Sequence, residues 1–142
     1  MDLREERIDK AFNNYNGKNP EVLDEFYDKK IVFEDPLTKV SGIDELKSYY
    51  EHAYASVKQI KFNFINIIPS GDVYTCEWFM TLKVPSLNFG KPYKVRGVSV
   101  LTFSNKTDKV IKHHDYLDIG DMVYERIPLI GKAVSFAKSK LS

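Results

Sequence analysis

The chain lacks several features that would define whole classes of protein. Its 142 residues include one cysteine, Cys76, which excludes an internal disulfide and a cysteine-based zinc cluster. No apolar run approaches the roughly 20 residues that a membrane span needs. The first six residues, MDLREE, are highly charged and do not resemble a signal peptide. We therefore expect a cytoplasmic protein.

Charge of one sign is also lacking. There are 21 Lys and Arg residues against 20 Asp and Glu residues, for a net charge of +1. A nucleic-acid-binding face would need a strong basic excess, so we expect no nucleic-acid partner. No glycine-rich phosphate loop or dinucleotide fingerprint occurs, so we expect no cofactor. The length indicates one domain over residues 1–142.

Aromatic side chains, in contrast, are abundant. Nine Tyr, nine Phe and one Trp make up 13% of the chain, and hydrophobic residues make up 43%. This many rings in a small domain favours either a large core or an aromatic pocket.

The first third of the chain has helical periodicity. Apolar spacing predicts a helix over residues 3–15, and Asn19-Pro20 is typical of the start of a second helix. Ser41 and Asp44 have the spacing of a capping box, which predicts a third helix ending at about Ser56. A short strand, residues 31–33, lies between the second and third helices.

From Ile60 onward the periodicity changes to that of strands. Alternating residues predict four strands, with turns at residues 69–72 and 104–108. The tail is predicted to break at Pro128 and to continue as a helix to about Lys140. Helices followed by an antiparallel meander indicate an α+β domain with helices on one face of a curved sheet and a C-terminal helix.

The acid–proline pair Asp35-Pro36 follows the first predicted strand. Proline removes a backbone donor and ends strand pairing, so the Asp35 side chain should lie in a turn. If that turn faces a cavity, Asp35 is a candidate general base whose proton affinity is raised by desolvation. If the turn faces water, Asp35 only forms the turn.

The order of these elements resembles the nuclear transport factor 2-like superfamily, which includes ketosteroid isomerases and SnoaL-like polyketide cyclases. The best local match runs over residues 26–36 (FYDKKIVFEDP), then Gly42 and Tyr49-Tyr50, and residues 113–118 (HHDYLD) resemble SnoaL-like proteins. The resemblance implies a cone-shaped fold, and it implies that Asp35 is the general base.

Two departures from ketosteroid isomerase argue against a steroid substrate. That enzyme stabilises its oxyanion with a tyrosine and a protonated aspartic acid. By ungapped spacing from Asp35, these positions fall at Ala11, beside Phe12, and near Ser99. Neither donor is therefore present in kind.

His113 and Asp115 lie two residues apart on the last predicted strand and face the same side. They form either an oriented acid/base pair or a buried hydrogen bond that satisfies both groups. A shift of one residue in register would instead place His114 and Asp118 on that side. His113, Asp115 and Asp35 are weak evidence for a metal, and we expect none.

The predicted pocket is apolar, although ordinary core packing is the alternative interpretation for most of its residues. Small residues, Gly97 and Ser99, are predicted to leave room for it. Cys76 is interpreted as an inert buried thiol. The residues predicted to line the pocket are Phe12, Tyr50, Trp78, Met80, Ser99 and Leu117.

The outer face of the sheet is predicted to form a homodimer. Val98 and Val100 point away from Ser99 and Leu101, so both faces of this strand are apolar and need cover. The C-terminal helix is predicted to close the pocket or pack on a partner subunit. Membrane contact is the less favoured alternative.

Two functional hypotheses follow. The first is an enzyme that moves a proton on a small hydrophobic carbonyl compound, by isomerisation, cyclisation or hydration, with Asp35 or Asp115 as base and His113 assisting. The second is a non-catalytic module that uses the same pocket to hold a lipid-like ligand or to assemble with a protein.

Overall fold

A computed structural model describes residues 2–141 and, for residues 128–130, the backbone alone. The helices are α1 (Leu3–Asn14), α2 (Glu21–Phe26), α3 (Ile43–Tyr54), α4 (Ile119–Met122) and α5 (Pro128–Ser139). The strands are β1 (Tyr27–Glu34), β2 (Lys39–Ser41), β3 (Gln59–Ser70), β4 (Val73–Lys83), β5 (Tyr93–Phe103) and β6 (Val110–Leu117). The α+β class with a C-terminal helix is confirmed.

The strands form one curved, unclosed sheet in the order β2-β1-β6-β5-β4-β3. The predicted four-stranded meander is β3–β6, and its neighbours pair antiparallel. The first strand extends this sheet by pairing parallel with β6. That pairing places the end of β1, where Asp35 follows, beside the middle of β6.

Element boundaries differ from the predicted ones at the start of α3 and at the end of β3. Ser41 does not cap α3; Gly42 precedes it with φ 89°, and the backbone N–H of Ser41 donates to Glu45 Oε2 at 2.8 Å. Pro69 lies inside β3 rather than in a turn. Because β3 is an edge strand, the missing N–H of Pro69 need not cost a ladder hydrogen bond.

One face of the sheet forms the core with the helices. Along β4, alternate residues are buried, and the same alternation runs along β5. The periodicity prediction for β4 is confirmed, since Tyr74, Cys76, Trp78, Met80 and Leu82 are all buried. The sheet's inner face thus carries both core residues and the candidate site.

Trp78 occupies the room that Gly97 provides. A Cβ atom on Gly97 would lie 2.3 Å from Cη2 of Trp78, which is inside any tolerated contact. Ser99 is fully buried and accepts a hydrogen bond from Trp78 Nε1 at 2.9 Å. The small residues on β5 therefore accommodate the indole ring and do not leave empty space.

The tail follows the predicted break. Residues 119–127 form α4 and a short 3-10 turn, and α5 begins at Pro128, a favoured first helical position. Lys138 of α5 forms ion pairs with Asp118 and with Glu125. Between residues 2 and 141, no helix is both long and apolar enough to cross a membrane.

We expect Gly97→Ala to destabilise the fold by about 1–3 kcal/mol, because the new methyl group overlaps the indole of Trp78. The measurement is the free energy of unfolding by urea. The matched control is the same substitution in a Trp78→Phe background, where the shorter ring leaves room and the cost should shrink. Equal costs in both backgrounds would contradict this packing.

Candidate active site

A cavity of about 290 Å³ lies between the helices and the inner face of the sheet. Its walls are mainly aromatic and aliphatic, with side chains from α1, α3, β3, β4 and the ends of β1 and β6. The carboxyl and imidazole side chains in this lining are those of Asp35, His113 and Asp115. Two separate parts of the chain, the turn after β1 and strand β6, thus bring the three residues to one cavity.

Asp35 forms the turn that ends β1 and also lines the cavity. Its Oδ1 accepts hydrogen bonds from the backbone N–H groups of Leu37 (2.8 Å) and Thr38 (2.9 Å). Its Oδ2 accepts a hydrogen bond from the Tyr49 hydroxyl. Asp35 is therefore both a turn residue and a cavity residue.

His113 is buried on the inner face of β6, with 2% of its surface exposed. Its Nε2 lies 2.6 Å from Asp115 Oδ1, and its Nδ1 lies 2.7 Å from the Tyr27 hydroxyl. Because the carboxylate can only accept, Nε2 carries a proton, and in the neutral ring Nδ1 then accepts from Tyr27. The tyrosine thus fixes the tautomer that serves Asp115.

Asp115 is held from a second side by the sheet. Ser99 pairs with Asp115 across β5 and β6, and its hydroxyl donates to Asp115 Oδ1. Trp78 Nε1 donates to the same serine oxygen. A continuous chain of hydrogen bonds therefore runs from Tyr27 through His113, Asp115 and Ser99 to Trp78.

The second oxygen of Asp115 is free of these bonds. Within residues 2–141, Asp115 Oδ2 has no hydrogen-bond partner, and no fully buried side-chain oxygen or nitrogen lacks one. Oδ2 must therefore be accessible, and Asp115 lines the cavity. One oxygen of this carboxylate is fixed, and the other is available to a bound molecule.

The alternative register is not adopted. His114 lies on the outer face, where its Nε2 is 3.3 Å from Glu34 Oε2 and its ring stacks on Tyr116. Asp118 caps α4 by accepting from the N–H of Asp121.

The residues predicted to line the pocket are placed as follows. Phe12, Tyr50, Trp78, Met80 and Leu117 line the cavity, and the Phe12 ring stacks on His113 with centroids 5.7 Å apart. Ser99 lies behind Trp78, outside the cavity wall, and acts on the site through Asp115.

The sequence interpretation missed five cavity tyrosines: Tyr15, Tyr27, Tyr49, Tyr54 and Tyr93. Burial raises the pKa of all five, and the charge of Asp115 raises it further for Tyr27, Tyr49 and Tyr54. These hydroxyls therefore stay protonated as hydrogen-bond donors. The available signal was the spacing of Tyr50 and Tyr54, which are four residues apart and share one face of α3.

Burial also makes the Cys76 thiol unreactive. The thiol is fully buried on β4, and burial raises its pKa to about 12.

The structure's described residues hold no group of three His, Cys, Asp or Glu side chains that could bind a metal ion.

The family model for the SnoaL-like domain matches residues 8–113. The chain belongs to the SnoaL-like domain family. The match includes Asp35 and His113 and ends two residues before Asp115. No curated protein matches the chain.

Several solved structures share the fold of this chain. The chain is similar to a putative SnoaL-like polyketide cyclase from Shewanella denitrificans, with TM-score 0.73, 19% identity, and coverage of 86% of this chain and 95% of that one. A putative cyclase from Jannaschia sp. gives TM-score 0.74 at 15% identity, covering 89% and 92%. A hypothetical protein with a ketosteroid isomerase-like fold from Catenulispora acidiphila, solved in complex with trimethylamine, gives TM-score 0.74 at 14% identity, covering 91% of this chain and 95% of that one. At these identities the likeness concerns the fold alone.

We expect Tyr27→Phe to lower the free energy of unfolding by about 1–3 kcal/mol, because it leaves buried His113 Nδ1 without a partner. Chemical denaturation measures this. Tyr116→Phe is the matched control: Tyr116 contacts His114 Nδ1 at 3.3 Å but is 54% exposed. Tyr116→Phe should change the free energy of unfolding by no more than about 0.5 kcal/mol. Equal losses of stability in the two variants would contradict the buried hydrogen bond between Tyr27 and His113.

Proposed function

We propose that this SnoaL-like protein is a proton-transfer enzyme that acts, without an organic cofactor, on a small hydrophobic carbonyl compound. The observation that carries the proposal is the carboxylate of Asp115. Its Oδ1 is held by His113 and Ser99, its Oδ2 has no hydrogen-bond partner within residues 2–141, and the residue lines an apolar cavity. An oriented base in a water-poor site is the arrangement that proton abstraction from carbon requires.

The geometry favours Asp115 over Asp35 as the base. Asp35 accepts hydrogen bonds on both oxygens, two of them from backbone N–H groups that fix the turn. Protonating Asp35 would weaken these bonds. Asp115 keeps one oxygen free, and His113 and Ser99 can go on donating to the other while Oδ2 takes up a proton.

The chemistry needs only a base and a donor for the carbonyl oxygen. Asp115 Oδ2 removes a proton from the carbon beside the carbonyl, and the electron pair of that C–H bond moves to form an enolate. Return of the proton to another carbon isomerises the substrate; attack of the enolate on a second carbonyl closes a ring. Both outcomes are redox-neutral.

The tyrosines of α3 supply the oxyanion donors that the ungapped comparison with ketosteroid isomerase did not reveal. Tyr54 lines the cavity, and among residues 2–141 its hydroxyl has no hydrogen-bond partner. Tyr50 lies near it, with ring centroids 6.1 Å apart, and its hydroxyl is 3.3 Å from that of Tyr27. A hydroxyl aimed at the developing enolate stabilises it most where water is excluded.

We expect Asp115→Asn to slow deuterium exchange at the acidic carbon of a bound ketone at least about 100-fold, because asparagine cannot accept the proton. The measurement is proton NMR in D₂O with a panel of small cyclic ketones and enones. Asp35→Asn is the matched control and should retain most of the exchange activity toward these compounds, because they are neutral and Asp35 takes up no proton.

The two variants separate the hypotheses. A loss confined to Asp35→Asn would return the role of base to Asp35. Ligand binding without exchange for any compound, in a folded protein, would favour the non-catalytic binding module.

We also infer that the protein is a homodimer that acts in the cytoplasm. The single cysteine suits a reducing compartment. The dimer inference is supported by the outer face of β5 and β6, where half-buried Val98 and Val100 lie beside Tyr116 and His114. An apolar patch of this kind in the middle of a sheet is typical of an interface.

We expect light scattering at micromolar concentration to give twice the chain mass of 16.5 kDa. Val98→Glu should shift the mass to that of a monomer, because it buries an unpaired charge at the contact. Lys83→Glu, on the same face of the sheet near its edge, is the control and should remain dimeric. A wild-type monomer would count directly against the dimer.

A further inference from the structure

The cavity carries negative charge and no fixed positive charge. Asp35 and Asp115 both line it, and no Lys or Arg does so among the residues that the structure describes. His113 uses both ring nitrogens in hydrogen bonds to Tyr27 and Asp115, so it offers no free donor to a ligand. A carboxylate or phosphate group on a substrate would therefore meet repulsion and no cation.

Asp35 has the geometry of an anion that is held in place. Its two oxygens together accept three hydrogen bonds, from two backbone N–H groups and from the Tyr49 hydroxyl. A carboxylate that only accepts hydrogen bonds is in its ionised form. Since the proposed base is Asp115, this second carboxylate is left without a catalytic role.

Aromatic rings line the same cavity as Asp35. Tyr49 touches Asp35, and its ring lies 6.0 Å from that of Tyr50, which in turn lies 6.1 Å from Tyr54. Burial, the hydrogen bond to Asp35, and the charges of Asp35 and Asp115 all raise the pKa of Tyr49, so its hydroxyl stays protonated beside the carboxylate. Ring faces beside a carboxylate attract organic cations.

An inorganic cation does not fit this arrangement. The described residues hold no group of three His, Cys, Asp or Glu side chains that could bind a metal ion. The cation that suits one carboxylate among aromatic rings is an alkylammonium group, because it combines a positive charge with an apolar surface.

We propose that the substrate carries a protonated or quaternary amine, which binds Asp35 and the ring of Tyr49, while its carbonyl end lies at Asp115. The inference rests on the proposed function for the carbonyl end, and on the cavity's charge and aromatic walls for the amine end. The two carboxylates thus divide the work: Asp35 binds and Asp115 reacts.

The test compares ligands of equal shape and different charge. Benzyltrimethylammonium and neopentylbenzene have the same shape, but the first has a positively charged nitrogen where the second has a carbon atom. Phenylacetate is the anionic probe. Trp78 is the only tryptophan and lines the cavity, so its fluorescence reports binding. We expect the cation to bind about tenfold more tightly than its neutral isostere, and phenylacetate to bind least.

Two variants locate the charge that is responsible. Asp35→Asn should remove the preference for the cation and leave binding of neopentylbenzene unchanged, whereas Asp115→Asn should keep most of the preference. Equal binding of cation and neutral isostere by the wild-type protein, or no binding of the cation, would overturn the proposal even if a variant folds poorly. A preference that survives in Asp35→Asn would also overturn it.

The result of this ligand-binding test does not depend on the result of the deuterium-exchange assay. Deuterium exchange is measured with neutral ketones, so a failed amine preference leaves that result standing. A failed exchange assay with an intact cation preference would instead leave an amine-binding site without catalysis.

Discussion

The rest of the site depends on the buried hydrogen bond between His113 and Asp115. A charged or polar group in this core is tolerated only when its partners are fully provided. Tyr27 supplies the partner on one side of the imidazole, and Ser99 holds the carboxylate on the other. Three strands, β1, β5 and β6, are thereby tied to one polar chain inside an aromatic core.

This chain explains why an apolar cavity can hold a carboxylate at all. Every donor that satisfies Asp115 acts on the same oxygen, so the fold stabilises the group and still leaves its second oxygen to the cavity. Asp35 is treated in the opposite way, because both its oxygens are occupied by the turn and by Tyr49. Two chemically identical side chains thus acquire different capacities from their hydrogen bonds.

Much of this architecture follows from local pattern. The alternation along β4 places Trp78 inward, and Asp35-Pro36 does end a strand, because period and proline chemistry act within a few residues. The spacing of His113 and Asp115 places both on one face. The role of Ser99 was missed, since it depends on pairing with Asp115 across two strands.

The sequence by itself determined the α+β class, the strand faces and the residue types that carry the chemistry, because these depend on neighbours along the chain. Only the tertiary structure decided which carboxylate has a free oxygen and which tyrosines face it. Those properties arise from contacts between residues as far apart as Tyr27 and His113, which are 86 positions apart. Such contacts form only when the parallel β1–β6 pair and the packed helices bring distant segments together.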